Sequence, residues 1–475
     1  MRAQARRGRC VVEGGGGEGG REGGRVGGRE EECLETHREV EGRRRKRRTE
    51  EEEGEEEGEE GGGVAGESPP GRWVREEGAE EGEERGEEVE EVATMSLRVL
   101  YPPGKTGFEE EKDLVPRPGS WVGGRYRVVG VLGTAVFSTA VEAIDVAAAM
   151  RRRKGGGGMR GGGRNGGRGR EGEGEGGEEE AETGPVQVCL KIIKNNKEFF
   201  DQGLDEIKLL RLLQDAGEPD EHHFLRLQDF FYYKEHLVLV SELLKENLYD
   251  VQRYARLHNE PAFFTLPRLR AIAQQVLGAL AFVHARGLMH CDVKPENIVV
   301  KSYSRVEVKL IDFGSSCFVS DPPTSYLQSR SYRAPEVILG AAYTGKIDVW
   351  SVGCVLAELF TGYVLFQSEN IQGMLARMQA ILGSFPEDLL LFGTETTKYF
   401  TSALVVYRRE GGEGGREGGD EEGDGAVSLL HPKKSNLAAR IRTDDALFLD
   451  FLRALLSIHP DQRPTAAEAL NHPWL

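Results

Sequence analysis

The chain has 475 residues, a formal net charge of −18, 64 glycines and 80 acidic residues, and much of this composition sits in tracts that lack the apolar surface to form a core. No run of about 18 apolar residues is present, which excludes a membrane-spanning helix, and no short apolar stretch follows the first basic residues as a secretory signal would require. The acidic balance gives no support to nucleic-acid binding, and six cysteines without a C-x-x-C pair read as reduced thiols, so the protein is expected inside the cell, in cytoplasm, nucleus or both.

Residues 1 to 94 are mostly Gly, Glu and Arg and cannot offset the entropy of ordering. The basic run Arg43 to Arg48 lies beside glutamates and reads as a solvated polyampholyte more than as an import signal. Met95 opens the first stretch of ordinary composition, which makes it a candidate start. A disordered tail over 1–117 and one globular domain over 118–475 are expected, with no further domain after the last helix.

Folding is expected from near Trp121. Tyr126 to Gly133 and Val141 to Ile144 read as a hairpin, and Val186 to Ile193 as a third strand. The Gly/Arg/Glu run 151–184 between them is then a loop insertion, with its Arg-Gly part a passive spacer. A helix is predicted over Phe199 to Gln214, where Leu204, Ile207, Leu210 and Leu213 share a face, followed by strands over Phe224–Tyr233 and His236–Val240. The pattern then turns helical: Pro267 to Arg286, Lys346 to Thr361, Asn370 to Leu382, Asp444 to Leu456 and Thr465 to Asn471. A second low-complexity run, 410–425, falls between helices. The first lobe is thus 118–244 and the second 245–475.

Three motifs stand in order: His290-Cys291-Asp292-Val293-Lys294-Pro295-Glu296-Asn297, Asp312-Phe313-Gly314 and Ala334-Pro335-Glu336. Together they resemble the protein-kinase signature. The resemblance implies an α+β, bilobal protein-kinase fold, with a small five-stranded antiparallel sheet lobe and a larger, mainly helical lobe. It also implies ATP and Mg²⁺ as cofactors and proteins as substrates, with Asp292 as catalytic base and Asn297 and Asp312 as metal ligands. The residue types suit that chemistry, because Mg²⁺ prefers one or two carboxylate or carbonyl oxygens beside phosphate oxygens. Lys294 is placed to meet the transferring phosphate.

By the same resemblance Lys191, in Val188-Cys189-Leu190-Lys191, clamps the nucleotide phosphates and Glu206 holds it from the following helix. Glu242 and Leu244 belong to the segment that pairs with adenine, and Ser241 stands at the gatekeeper position. Leu132, Gly133, Ala135, Phe137 and Ala140 form the phosphate loop. This loop departs from the family pattern by keeping one glycine of three, with Ala135 and Ser138 in place of the others. The rival reading, a pseudokinase scaffold, rests on that departure.

The segment Ser325-Tyr326-Leu327-Gln328-Ser329-Arg330-Ser331-Tyr332-Arg333-Ala334-Pro335-Glu336, together with Cys291, Gly314-Ser315-Ser316-Cys317 and Asn247-Leu248-Tyr249, resembles the dual-specificity tyrosine-regulated kinase family. The likeness covers about Tyr126 to Leu475 without the inserts. It implies serine/threonine phosphorylation, autophosphorylation of Tyr326, and Arg330 and Arg333 as partners of the new phosphate. Arg333 also suggests a preference for proline after the target residue. Glu336 and Arg463 are expected to form a buried ion pair holding the lobes together, and Asp348 to anchor the catalytic-loop backbone. A monomer without membrane or nucleic-acid partners is expected.

Overall fold

Period-two alternation carries the first part of the chain into a sheet. The computed structural model describes residues 93–104, 113–155, 186–324, 327–409, 427–431 and 433–475. Seven strands, β1 (Val99–Leu100), β2 (Trp121–Val122), β3 (Tyr126–Thr134), β4 (Ser138–Asp145), β5 (Gln187–Ile193), β6 (Leu227–Tyr233) and β7 (His236–Glu242), take the order β1-β6-β7-β5-β4-β3-β2. Only β1 is parallel to its neighbour. Helix α1 (Val146–Gly155) follows β4, and α2 (Lys197–Ala216) follows β5.

One sheet face buries Val128, Val141, Val188, Leu190, Val238 and Val240, with Tyr126 stacked on Phe231. On the other, Ile193, Leu237 and Leu239 pack under Ile207, Leu210 and Leu213 of α2. Asn196 caps α2 by accepting from the Glu198 amide at 2.8 Å. The helix lies so close to the sheet that a Cβ on Gly203 would stand 2.9 Å from a Leu237 methyl.

The sheet has seven strands where five were expected, because β1 and β2 are two residues each, too short for periodicity to register. Residues before 118 also join the sheet lobe. Arg98 pairs with Asp229, its carbonyl accepts from the Tyr232 amide at 2.8 Å, and Met95 and Leu97 pack on the cluster under α2. The tail before residue 93, with its Arg43–Arg48 run, and residues 156–184 of the first insert lie outside the described residues. The first five residues of that insert belong to α1.

The second lobe comprises α3 (Leu248–Leu257), α4 (Leu266–His284), β8 (Leu288–Met289), β9 (Ile298–Ser302), β10 (Glu307–Leu310), β11 (Cys317–Phe318), α5 (Pro335–Leu339), α6 (Lys346–Thr361), α7 (Ile371–Leu382), α8 (Glu387–Phe392), β12 (Tyr407–Arg409), β13 (Val427–Leu429), α9 (Leu437–Ile441), α10 (Ala446–Leu455) and α11 (Ala466–Ala469). Helix α6 is buried from Ile347 to Leu359 and forms the axis of this lobe's core. The five helices read from sequence here fall within two residues of their observed ends. The second insert does not lie between helices: β12 and β13, paired antiparallel, flank it. Among the described residues no helix is long and apolar enough to cross a membrane.

Candidate active site

The two lobes meet where Lys191 of β5 and Gln202 of α2 reach the segment after β10, at Asp312 and Gly314. On β5, Val188, Leu190 and Ile192 point into the sheet core, so period two turns Cys189 and Lys191 to the other face. There Lys191 Nζ lies 2.8 Å from Glu206 Oε2 on α2 and 2.9 Å from Asp312 Oδ1. Burial opposes its charge, but Asp312 and Glu206 outweigh that and hold the ammonium above its usual range. For Asp312, burial works against ionisation and Lys191 overrides it, bringing the carboxyl down to about 2.

Phe137 stands over this group, its ring centroid 4.9 Å from Lys191 Nζ. The turn that carries it is closed by the Ala135 amide donating to the Ser138 carbonyl at 2.8 Å. None of residues 133–138 has a positive φ. Ala135 and Ser138 therefore replace glycine without backbone strain.

Across the cleft, Asp292 follows Cys291, whose φ of 64° is left-handed. Asp348 of α6 imposes that turn: its Oδ2 accepts from the His290 amide at 2.8 Å and its Oδ1 from the Cys291 amide at 2.9 Å. His284 Nε2 approaches the same carboxylate at 2.8 Å, and outweighs burial in keeping it below the usual range. Asp348 thus anchors the catalytic-loop backbone as expected. The Cys291 thiol is 3.5 Å from that of Cys317, and this contact and burial raise its pKa well above the ordinary thiol value.

The Asp292 carboxylate is fully engaged. Ser329 Oγ donates to Oδ1 at 2.7 Å, while Lys294 Nζ at 2.7 Å and Asn297 Nδ2 at 3.0 Å meet Oδ2. Burial opposes ionisation, but Lys294 and Ser329 keep the carboxyl below its usual range. Asn297 Nδ2 also donates to the Asp292 carbonyl at 2.9 Å, which leaves the amide oxygen as the acceptor available to a cation. One carboxylate and one amide oxygen fit a magnesium ion whose other ligands are phosphate and water. His290 stacks edge-on to Phe313 at 5.0 Å and touches the Ile311 carbonyl at 3.1 Å, linking the two motifs.

The remaining expected residues distribute differently. Glu242 ends β7 at the crossing between lobes, with Leu244 two residues on, and Leu132, Gly133 and Ala135 lie exposed at the β3 tip while Ala140 lies on β4. Tyr326 is outside the described residues. Arg330 donates to the Glu369 carbonyl at 3.2 Å and buried Arg333 to the Gln328 carbonyl at 3.0 Å. The buried Glu336–Arg463 pair exists, at 2.5 Å, but it does not join the lobes. It ties α5 to the turn before α11 within the helical lobe, because both residues follow β10 and sit in one core.

Sequence reasoning missed Gln328. It is buried, left-handed at φ 69°, and its side chain donates to the Ile347 carbonyl and Ser351 Oγ and accepts from the Ala334 amide, all at 2.8 to 2.9 Å. The only signal was its place between the tyrosine and the Ala-Pro-Glu motif.

The protein kinase domain family matches residues 167–475, leaving outside the match the β3–β4 hairpin that the sheet nevertheless pairs to β5. The chain is 36% identical over 288 residues to dual specificity tyrosine-phosphorylation-regulated kinase 4 of Homo sapiens, covering 61% of this chain and 52% of that protein. It is 36% identical over 300 residues to dual specificity tyrosine-phosphorylation-regulated kinase 3 of Rattus norvegicus, covering 61% and 49%. Against serine/threonine-protein kinase ppk15 of Schizosaccharomyces pombe the identity is 35% over 307 residues, covering 61% and 57%. The chain therefore spans about half the length of the relatives it matches. With its motifs gathered in one cleft and this match over most of its described length, the chain belongs to the protein kinase family, with relatives among the dual-specificity tyrosine-regulated kinases.

Proposed function

We propose that the protein transfers the γ-phosphate of ATP to serine or threonine of protein substrates, and that it autophosphorylates Tyr326, with Arg330 and Arg333 receiving that phosphate. The observation that carries this reading is the convergence of two groups on one cleft: Lys191, Glu206 and Asp312 on one side, Asp292, Lys294 and Asn297 on the other. Phosphoryl transfer asks mainly for positioning and charge neutralisation, which such preformed contacts supply.

Asn297 and Asp312 would hold Mg²⁺, whose charge neutralises the phosphates when bound. Lys191 clamps the α- and β-phosphates, and Glu206 keeps its ammonium from swinging away. The backbone of Glu242 to Leu244, with Leu132 and Ala140, would receive the adenine, while Phe137 and the turn at Gly133 and Ala135 would cover the phosphates. Lys294 meets the transferring group. Asp292, whose pKa is depressed, is a weak base, so its main contribution is to orient the substrate hydroxyl and take the proton late.

The segment next to the base favours proline after the target residue. Ser329 touches Asp292, and the neighbouring Gln328 carbonyl already accepts from Arg333 Nε at 3.3 Å and Nη2 at 3.0 Å. An incoming peptide amide would find no acceptor there, whereas proline has no N–H to satisfy. A peptide array should show several-fold better turnover of Ser-Pro and Thr-Pro than of Ala-substituted partners; equal turnover would remove this preference.

The central test is phosphorylation by the purified full chain, wild type against Asp292→Asn, with mass spectrometry of the Tyr326 peptide. Removal of a positioned base should lower turnover by about 10²–10⁴ and abolish phosphate on both Tyr326 and substrate. A folded wild type that labels neither would favour the scaffold reading.

A further inference from the structure

Three residues before Asp312, Lys309 of β10 is almost completely buried, its side chain 1% exposed, yet it carries no apolar role. Val308 and Leu310, on either side, belong to the helical-lobe core, so alternation turns Lys309 to the opposite face, toward the crossing between lobes. Its Nζ lies 2.5 Å from Glu242 Oε1 and 2.6 Å from Asp220 Oδ1.

Both partners belong to segments that set the nucleotide cleft. Glu242 is the last residue of β7 and the first of the crossing segment, and its carboxylate also accepts from the Arg226 amide at 2.9 Å. Asp220 lies in the loop between α2 and β6, and takes Lys301 at 2.7 Å and Arg226 at 3.2 Å. Burial opposes its ionisation, but Lys301 and Lys309 hold the carboxyl low. The same loop is sewn to β10 by backbone bonds from Leu310 to the His223 carbonyl at 2.8 Å and from Leu225 to the Leu310 carbonyl at 3.0 Å. One ammonium thus joins the crossing segment, the loop that ends α2, and the strand that leads to Asp312.

Stability alone does not explain a lysine here, since apolar replacement of a buried ion pair is often neutral or stabilising. We infer that Lys309 is a positioning residue that sets nucleotide affinity, by holding the Glu242 end of the crossing segment in the conformation that receives adenine. The inference rests on the kinase reading above and deepens it. Without Lys309, the Glu242 carboxylate keeps, among the described residues, only the Arg226 amide and is drawn toward water, and the backbone that would face adenine moves with it.

The test compares full-length wild type with Lys309→Met, Lys309→Arg and the surface control Lys398→Ala, by calorimetric titration with MgATP and by steady-state kinetics. Lys309→Met should raise Kd and KM for ATP about tenfold, or roughly 1.4 kcal/mol, with kcat within about twofold of wild type, while retaining a cooperative thermal transition. Lys309→Arg, which keeps the charge, should recover most of the affinity, and Lys398→Ala, whose exposed side chain pairs with Glu395 away from this network, should leave it unchanged. A folded Lys309→Met with wild-type affinity overturns the inference, as does a fall or rise in kcat at unchanged KM. Should Lys309→Met fail to fold, Glu242→Gln carries the comparison, with a smaller rise in Kd expected and none overturning it. A wild type that binds no MgATP would sink the kinase reading, and the positioning role with it.

Discussion

The catalytic loop and the phosphate turn face each other across the cleft, and they are built in opposite ways. Around Asp292, three non-glycine residues are left-handed: Cys291 at φ 64°, Asp312 at 68° and Gln328 at 69°. Such conformations cost about 1–3 kcal/mol each and persist only where surroundings enforce them. Here they do: Asp348 holds the Cys291 amide, Lys191 holds Asp312, and α6 holds Gln328. The turn at 133–138 has no such residue, is exposed over residues 133–135, and is held by backbone bonds from the Ala135 amide to the Ser138 carbonyl and from the Lys194 amide to the Phe137 carbonyl, with the Phe137 ring over Lys191. Conformational precision is concentrated where the proposed function puts a base and a metal, and sequence latitude in the turn proposed to cover the phosphates. The same contrast shows that backbone contacts, not the Cys291 side chain, hold this turn: Asp348 accepts from the amides of His290 and Cys291.

The sharpest way to break this contrast is to remove its anchor. Asp348→Ala strips the acceptor from two amides and from His284, and leaves buried donors unsatisfied at about 1–3 kcal/mol each. Turnover should fall by about 10²-fold or more as Asp292 loses its geometry, with KM for ATP less affected; unchanged turnover in a folded variant would show that the loop holds itself. The pH dependence of stability follows from the same group. Asp348 titrates lower in the folded than in the unfolded chain, so its stabilisation is present above the unfolded carboxylate value near 4 and is lost as pH falls through the folded value. Denaturant unfolding of wild type and Asp348→Asn should therefore differ by a constant amount above about pH 5 and converge in acid.

A smaller loss is expected from Gln328→Ala. It frees the Ala334 amide and lets the left-handed residue relax, so the Arg333 bond to its carbonyl loosens. Thermal stability should fall by a few degrees, on the order of 1–2 kcal/mol, and any preference for proline should weaken. Retention of that preference, measured on the same peptide array, would show that Arg333 alone maintains it.

Much of the fold and most of the site were legible because their signals are local. Lys191 ends an alternating strand, Glu206 lies on a helix with a clear apolar face, and His290 to Asn297 fall within eight consecutive residues. What stayed hidden depends on distant partners. Strand β1 is two residues that acquire meaning only beside Tyr232 and Tyr233. Strands β12 and β13 pair across an insert, so neither alone has a period to read. Lys309 and Gln328 are single polar residues whose burial no pattern announces. The Glu336–Arg463 pair was foreseen, yet its place within one lobe follows from how α5 and α11 pack, which sequence spacing does not encode.

The finest probe of the contrast restores glycine to the phosphate turn. If Ala135 and Ser138 merely occupy tolerant positions, Ala135→Gly with Ser138→Gly should change KM for ATP by less than about threefold, under 1 kcal/mol, since neither residue has a positive φ to relieve. Ser138 is buried and pairs with Ile193, so the double variant should lose slight stability through added backbone entropy. A gain of tenfold or more in nucleotide affinity would mean instead that the two Cβ atoms obstruct the approach of backbone amides to phosphate. The turn would then be a deliberate brake on turnover, and the opposition between a rigid base and a permissive cover would have to be abandoned.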